Sequence, residues 1–330
     1  VVTPAQTQSV NHRSGLSPYA AAAGYLALSV TVGGLAGAVA LASQLHVLPA
    51  GLEARMAAFH PTAMLLFVGV PAFLGAFGRL FLARDLMSGG VKGLPLLDSG
   101  ALTVMLLALL MFLSSVSQGD LFGMGLWSVG AILMSASTLA IICDSRAGAG
   151  IVAPRGQERV SGLMPFSLFV WTQLCATIGL LLVAPVLAAG ATRELLGASD
   201  VMPHFEMPAT LIVLVSAFGL AARVFDGIAP VGQKLKAGAV AVIATVAIGG
   251  PALWDRMAFV HADPACVQKV GTILAAVAAV AFAGIWIRAL WRQAVTVRVA
   301  IDVPVLWVSG FFVLLAAGWM GSGVHTAVLN

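Results

Sequence analysis

The chain has 330 residues, of which 60% are hydrophobic and 9% charged, with a net charge of +4 and a mean hydropathy of +1.01. Soluble globular domains carry charge on about a quarter of their residues, so that class is excluded and a polytopic membrane protein remains. Cys143, Cys175 and Cys266 lie far apart with no C-x-x-C spacing, which points to neither a zinc site nor a redox pair.

Residues 1–18 are polar, with His12 and Arg13 ahead of the first apolar run and no signal-peptide pattern. The chain opens on Val1 rather than Met, which reads as a trimmed start. Runs long enough to cross about 30 Å of hydrocarbon occur near 19–43, 58–82, 96–117, 122–143, 163–190, 208–228, 236–254, 270–291 and 304–328. The expectation is an all-α transmembrane bundle of nine helices, a single domain over 1–330. The period-2 alternation of a β-barrel is missing.

Basic residues set the expected orientation. Alternate connections hold Arg13; Arg79, Arg84 and Lys92; Arg146, Arg155 and Arg159; Arg223, Lys234 and Lys236; and Arg288, Arg292 and Arg298. The opposite side holds only Arg55, Arg193, Arg256 and Lys269. The N-terminus is therefore expected inside and, after nine crossings, the C-terminus outside. The longest polar connection, Asp144 to Arg159, reads as an inside loop, and Arg79, Arg84 and Asp85 read as solvated loop residues. Charges are thus expected outside mid-membrane, where a transporter would place pairs. Trp127, Trp254, Trp291 and Trp307 fall near expected helix ends, as an interfacial aromatic belt requires. Trp171, Trp286 and Trp319 are expected inside the bundle, and the scattered methionines read as core filler.

The stretch His60 to Gly78, HPTAMLLFVGVPAFLGAFG, joins one imidazole to Pro71 and the small residues Gly69, Gly75, Ala76 and Gly78 in a run of spanning length. A polar side chain in a span faces protein, water or ligand, and small residues let helices approach closely. This run resembles the second helix of subunit I of the heme-copper oxidases, H-G-x-x-M-x-F-x-x-x-x-P-A-x-x-G-x-F-G. His60, Met64, Pro71, Ala72, Gly75, Phe77 and Gly78 keep that spacing, and Pro61 replaces the Gly. Further short matches follow in order. Ser9 to Arg13 is similar to S-T-N-H-K before helix one, and Leu94 to Ser115 to the third helix. Ser128 to Ala131 with Arg146-Ala147 fits the fourth helix; Phe169-Val170-Trp171 with Leu182 to Gly190 fits the fifth. Ile285 to Trp291 is similar to S-W-I-A-T-M-W in helix eight, and Pro304 to Phe311 to P-M-L-W-A-L-G-F in helix nine. The match thus covers helices one to nine and reaches Asn330, where that family has helix ten.

In that family copper is held by one His of an H-P-E-V-Y motif in helix six and by a His-His pair in helix seven. Neutral imidazoles suit copper, and they must converge around an open position for oxygen. Aligned on Ala217-Phe218-Gly219, Met207, Ala209 and Leu211 take the places of the His, Glu and Tyr. His204-Phe205-Glu206 mimics H-x-E only after a three-residue shift, so His204 and Glu206 are expected in an outside loop. No His occurs between Lys234 and Val260; Leu253 to Met257 stands where the His pair would be, and His261 reads as a loop residue. Phe282 and Ala279 replace the proton-channel Lys and Thr, and Arg79 follows Gly78 where the family has Asn.

The resemblance therefore implies a degenerate subunit I-like protein without copper or a catalytic residue. Its expected role is in the structure or assembly of a respiratory heme-copper-oxidase-type or related electron-transfer complex. The expected partners are other membrane subunits and lipids rather than nucleic acid, and the Ala- and Gly-rich composition points to a bacterial inner membrane. His60 is the candidate axial ligand of one heme, with His325 as the candidate opposite ligand, against a hydrogen-bonded structural role. Alternatives are half of a split oxidase whose hemes another chain completes, and a heme-, quinone- or lipid-binding membrane protein.

Overall fold

The computed structural model describes residues 18–86, 95–114, 118–149, 166–197, 205–226, 231–260, 263–294 and 303–328. Among them every regular element is helical. This is the expected consequence of apolar composition: a backbone in hydrocarbon must satisfy its own polar groups, and a helix does so within one segment. The order is α1 (Pro18–Gln44), α2 (Ala50–Ala63), π-helical turns at Met64–Gly69 and Pro71–Ala76, α3 (Phe77–Asp85), α4 (Pro95–Leu113) and α5 (Gly119–Ala149). There follow α6 (Leu168–Leu195), α7 (Glu206–Asp226), α8 (Gln233–Ala244), a third π-helical turn at Thr245–Gly249, α9 (Gly250–Phe259), α10 (Pro264–Ala294) and α11 (Val303–Val328).

Eight helical runs are long and apolar enough to cross a membrane: Tyr19–Gln44, Phe59–Leu82, Leu96–Leu113, Gly119–Cys143, Leu168–Leu195, Glu206–Asp226, Lys234–Ala258 and Ala265–Trp291. A ninth apolar helix has the shorter described stretch Val305–Gly318. These coincide with the nine runs expected from hydropathy. The polar stretch from Asp144 is a correction, because α5 carries on to Ala149 before the described residues stop.

α6 and α7 form the middle of the bundle. α4, α5, α6 and α7 pack in sequence, and α1 covers the π-helical part of the second span. α8 and α9 lie on α6 and α7, while α10 and α11 both rest on α7. Close approach in the middle depends on two glycines. A Cβ on Gly179 would collide with the backbone carbonyl of Ala247, and one on Gly219 with the side chain of Thr172. Outward faces carry bare apolar side chains, among them Val30, Leu35, Leu110, Val280 and Leu314, as lipid contact requires.

The second span is wound wider than an α-helix around Pro71. Proline has no N–H and its ring crowds the carbonyl four residues earlier. A π turn moves the hydrogen bonds to the fifth residue, and the N–H of Val70 accordingly reaches the Leu65 carbonyl. In that register Pro71 leaves the Leu66 carbonyl without its partner. The indole Nε1–H of Trp127, on α5, donates to that carbonyl at 2.9 Å. Trp127 is 1% exposed, so the expected interfacial position is corrected: it is a core residue bound to a broken helix. Trp254 is corrected likewise, at 2% exposed. Trp291 and Trp307 are exposed, while Trp171 and Trp286 are buried, as expected; the Trp319 side chain lies outside the described residues. Replacing Trp127 by Phe keeps the ring but orphans a buried carbonyl, and should lower stability by about 1–3 kcal/mol. Unfolding in mixed detergent micelles measures this, and a variant as stable as the parent would show that another group serves Leu66.

Candidate functional site

The polar groups of the bundle interior gather where the second span leaves its π-helical stretch. Arg79, on α3, is 2% exposed and Asp98, on α4, is also 2% exposed. The guanidinium donates from Nε to both carboxylate oxygens at 3.1 and 3.2 Å and from one terminal nitrogen to Oδ1 at 2.8 Å. Its other donors go to Thr138 Oγ1 at 2.6 Å and the Met134 carbonyl at 2.9 Å, both on α5. Tyr25 of α1, wholly buried, packs its ring on Gly75 and lies within electrostatic reach of the pair. One arginine therefore ties together the second, third and fourth spans. Sequence reading placed Arg79 in a solvated loop and charge outside the bundle; both expectations are corrected. A charge at this depth persists only because Asp98 pairs with it and its donors are used.

A second pair lies one and a half turns further along. Asp85 accepts from Arg223 of α7 and, at 2.9 Å, from the Ser167 hydroxyl. Ser167 also caps α6, accepting from the Val170 N–H at 3.2 Å. The Arg223 guanidinium lies 4.7 Å from the Phe81 ring centroid and 5.8 Å from that of Phe169. Asp85 is therefore part of the packing between α3, α6 and α7, not a solvated loop residue. The Arg84 side chain lies outside the described residues.

His60 sits half-buried on α2, at the N-terminal end of a stripe continued by Ala63, Phe67, Val70 and Leu74. The stripe is closed by aromatic packing: Phe59 and Phe67 lie 5.3 and 5.7 Å from the Phe112 ring. Of the six histidines only His46 and His60 have described side chains, and His46 is exposed in a turn. His325 is on α11, but its side chain lies outside the described residues. No group of three or more His, Cys, Asp or Glu side chains converges among the described residues. Among the described residues no second imidazole lies beside His60.

Met207, Leu211 and Phe282, three of the residues that the resemblance sets against the family's metal- and proton-handling side chains, are buried. Met207 is buried against Gly271, and Leu211 against Gly250. Phe282 stacks on Phe218 with centroids 4.6 Å apart, and Phe218 meets Trp286 and Phe311 edge-on. Beside Met207 a small cleft of about 260 Å³ opens between the starts of α7 and α10, lined by Glu206, Thr210, Gln268 and Thr272 among others. Glu206 is the exposed first residue of α7, while His204 and His261 lie outside the described residues.

These features define a multi-pass helical membrane bundle whose largely apolar interior is crossed by the Arg79–Asp98 pair. No model of a known protein family matches the chain.

Proposed function

We propose that this protein is a subunit I-like membrane scaffold that has lost oxygen chemistry and serves in the structure or assembly of a respiratory electron-transfer complex in a bacterial inner membrane. The observation that carries this reading is the packing at the aligned ligand positions. Met207, Leu211 and Phe282 are built into the core, and Phe282 sits in a cluster with Phe218, Trp286 and Phe311. A lost ligand leaves a cavity that costs stability; large apolar replacements that pack on neighbours keep the helices together. What persists is an assembly of spans with wide apolar outer faces, suited to neighbours in the membrane.

Purification of the native complex through a tag on this chain tests the reading. Redox subunits should accompany it; a chain that purifies alone overturns the proposal. Oxygen uptake with a carbon-monoxide-sensitive heme spectrum would instead establish the split-oxidase alternative. In the same preparation His60→Ala should leave heme per protein, read as the pyridine hemochrome, unchanged. A loss of one heme per chain would make His60 an axial ligand.

A further inference from the structure

We propose that the cleft between α10 and α11 holds an acyl chain of an anionic phospholipid. The two helices both pack on α7 with their backbones held apart, leaving a cleft of about 440 Å³ between them. Ala283, Ile287 and Leu290 line one side, and Val305, Ser309 and Phe312 the other. The buried rings of Phe225 and Trp286 close its base, and Trp286 packs edge-on against Phe312 at 4.7 Å.

Shape selects the occupant. From Ala279 to Leu290 the cleft runs about 17 Å at 1.5 Å per helical residue. Its volume over that length, widened by the about 1.4 Å radius of a water at each wall, gives a mean width of about 8–9 Å, whereas a helix with side chains measures about 10–12 Å across. A partner's transmembrane helix is too wide for it. An extended hydrocarbon chain, whose contacts lie about 3.5–4.0 Å from carbon to carbon, fits.

Position and charge select the lipid. The cleft reaches to within about a turn of the end of α10, where Trp291 and, across from it, Trp307 are 73% and 52% exposed. Exposed tryptophans of this kind mark the headgroup layer. The same end of α10 carries Arg288, which is exposed, and Arg292 one turn further along the helix. α10 carries no acidic residue, and the first one after it is Asp302. The arginines act as a positive field at that end, which draws an anionic headgroup to the mouth of the cleft.

The chain is reconstituted in nanodiscs of phosphatidylcholine mixed equally with phosphatidylglycerol, then exchanged into detergent, and the retained lipid is measured by mass spectrometry. The parent should retain phosphatidylglycerol. Ala283→Phe, which fills the cleft, should lose it at an unchanged unfolding temperature in detergent; Ser309→Leu fills the opposite wall where the first variant fails to fold. Arg288→Gln with Arg292→Gln should lower the preference for the anionic lipid roughly 20- to 30-fold, at about 1 kcal/mol per arginine. A parent that retains no phosphatidylglycerol overturns the proposal. So do filled variants that retain as much as the parent, or a cleft that keeps an isoprenoid quinone instead.

Discussion

Asp98→Ala should destabilise the bundle by about 3–5 kcal/mol, because it strands the Arg79 guanidinium in a site without water. In the parent that guanidinium has partners on α4 and α5 at 2.6 to 3.2 Å. Without Asp98 its positive charge has no counterion, and the three spans lose their common tie. The pair itself is a different matter. Its Coulomb attraction is set against the desolvation of two ions, so replacing both by apolar groups of similar volume is often neutral. Arg79→Met combined with Asp98→Leu should therefore recover most of the loss. Arg79→Lys should fall between, since an ammonium is a point donor and cannot fork between carboxylate, hydroxyl and carbonyl. Unfolding in mixed micelles reads all three variants. A single Asp98→Ala chain as stable as the parent would mean that Arg79 reaches water or lipid headgroups instead.

Gly179→Ala is expected to be the most damaging single methyl in the protein. The added Cβ meets a backbone carbonyl, that of Ala247 in the third π-helical turn, and a carbonyl cannot rotate away. α6 must separate from α8 and α9, an overpacking cost of about 1–3 kcal/mol or more. Gly219→Ala supplies the comparison, because there the Cβ meets the Thr172 side chain. Thr172→Gly should relieve the clash at Gly219, because the Thr172 Cβ is itself part of it, while no substitution at a facing side chain should relieve the one at Gly179. Folded yield and unfolding temperature of the two rescue pairs measure the difference. Equal rescue at both positions would show that α6 has room to move.

The spans were legible because hydropathy is close to additive: each residue contributes its own transfer free energy to crossing the membrane. The runs near 58–82 and 208–228 could thus be placed to within a few residues of Phe59–Leu82 and Glu206–Asp226 without knowing what surrounds them. Met207, Leu211 and Phe282 stood out only through the resemblance, and the structure adds what they touch.

What only the tertiary structure decided is the fate of polar groups. Arg79 looks like a loop cation by its place at the end of an apolar run, and Trp127 like an interfacial anchor. Each is buried because a particular atom of another helix stands opposite: Asp98 for the guanidinium, the Leu66 carbonyl for the indole. Desolvating a polar group is unfavourable until its partner is in place, and the partner is 19 or 61 residues away in the chain. Composition and hydropathy therefore determined that this chain crosses a membrane many times and where it crosses. The packing of α3 against α4 and α5 decided which of its charges remain in water, since that energy belongs to pairs of residues and not to either alone.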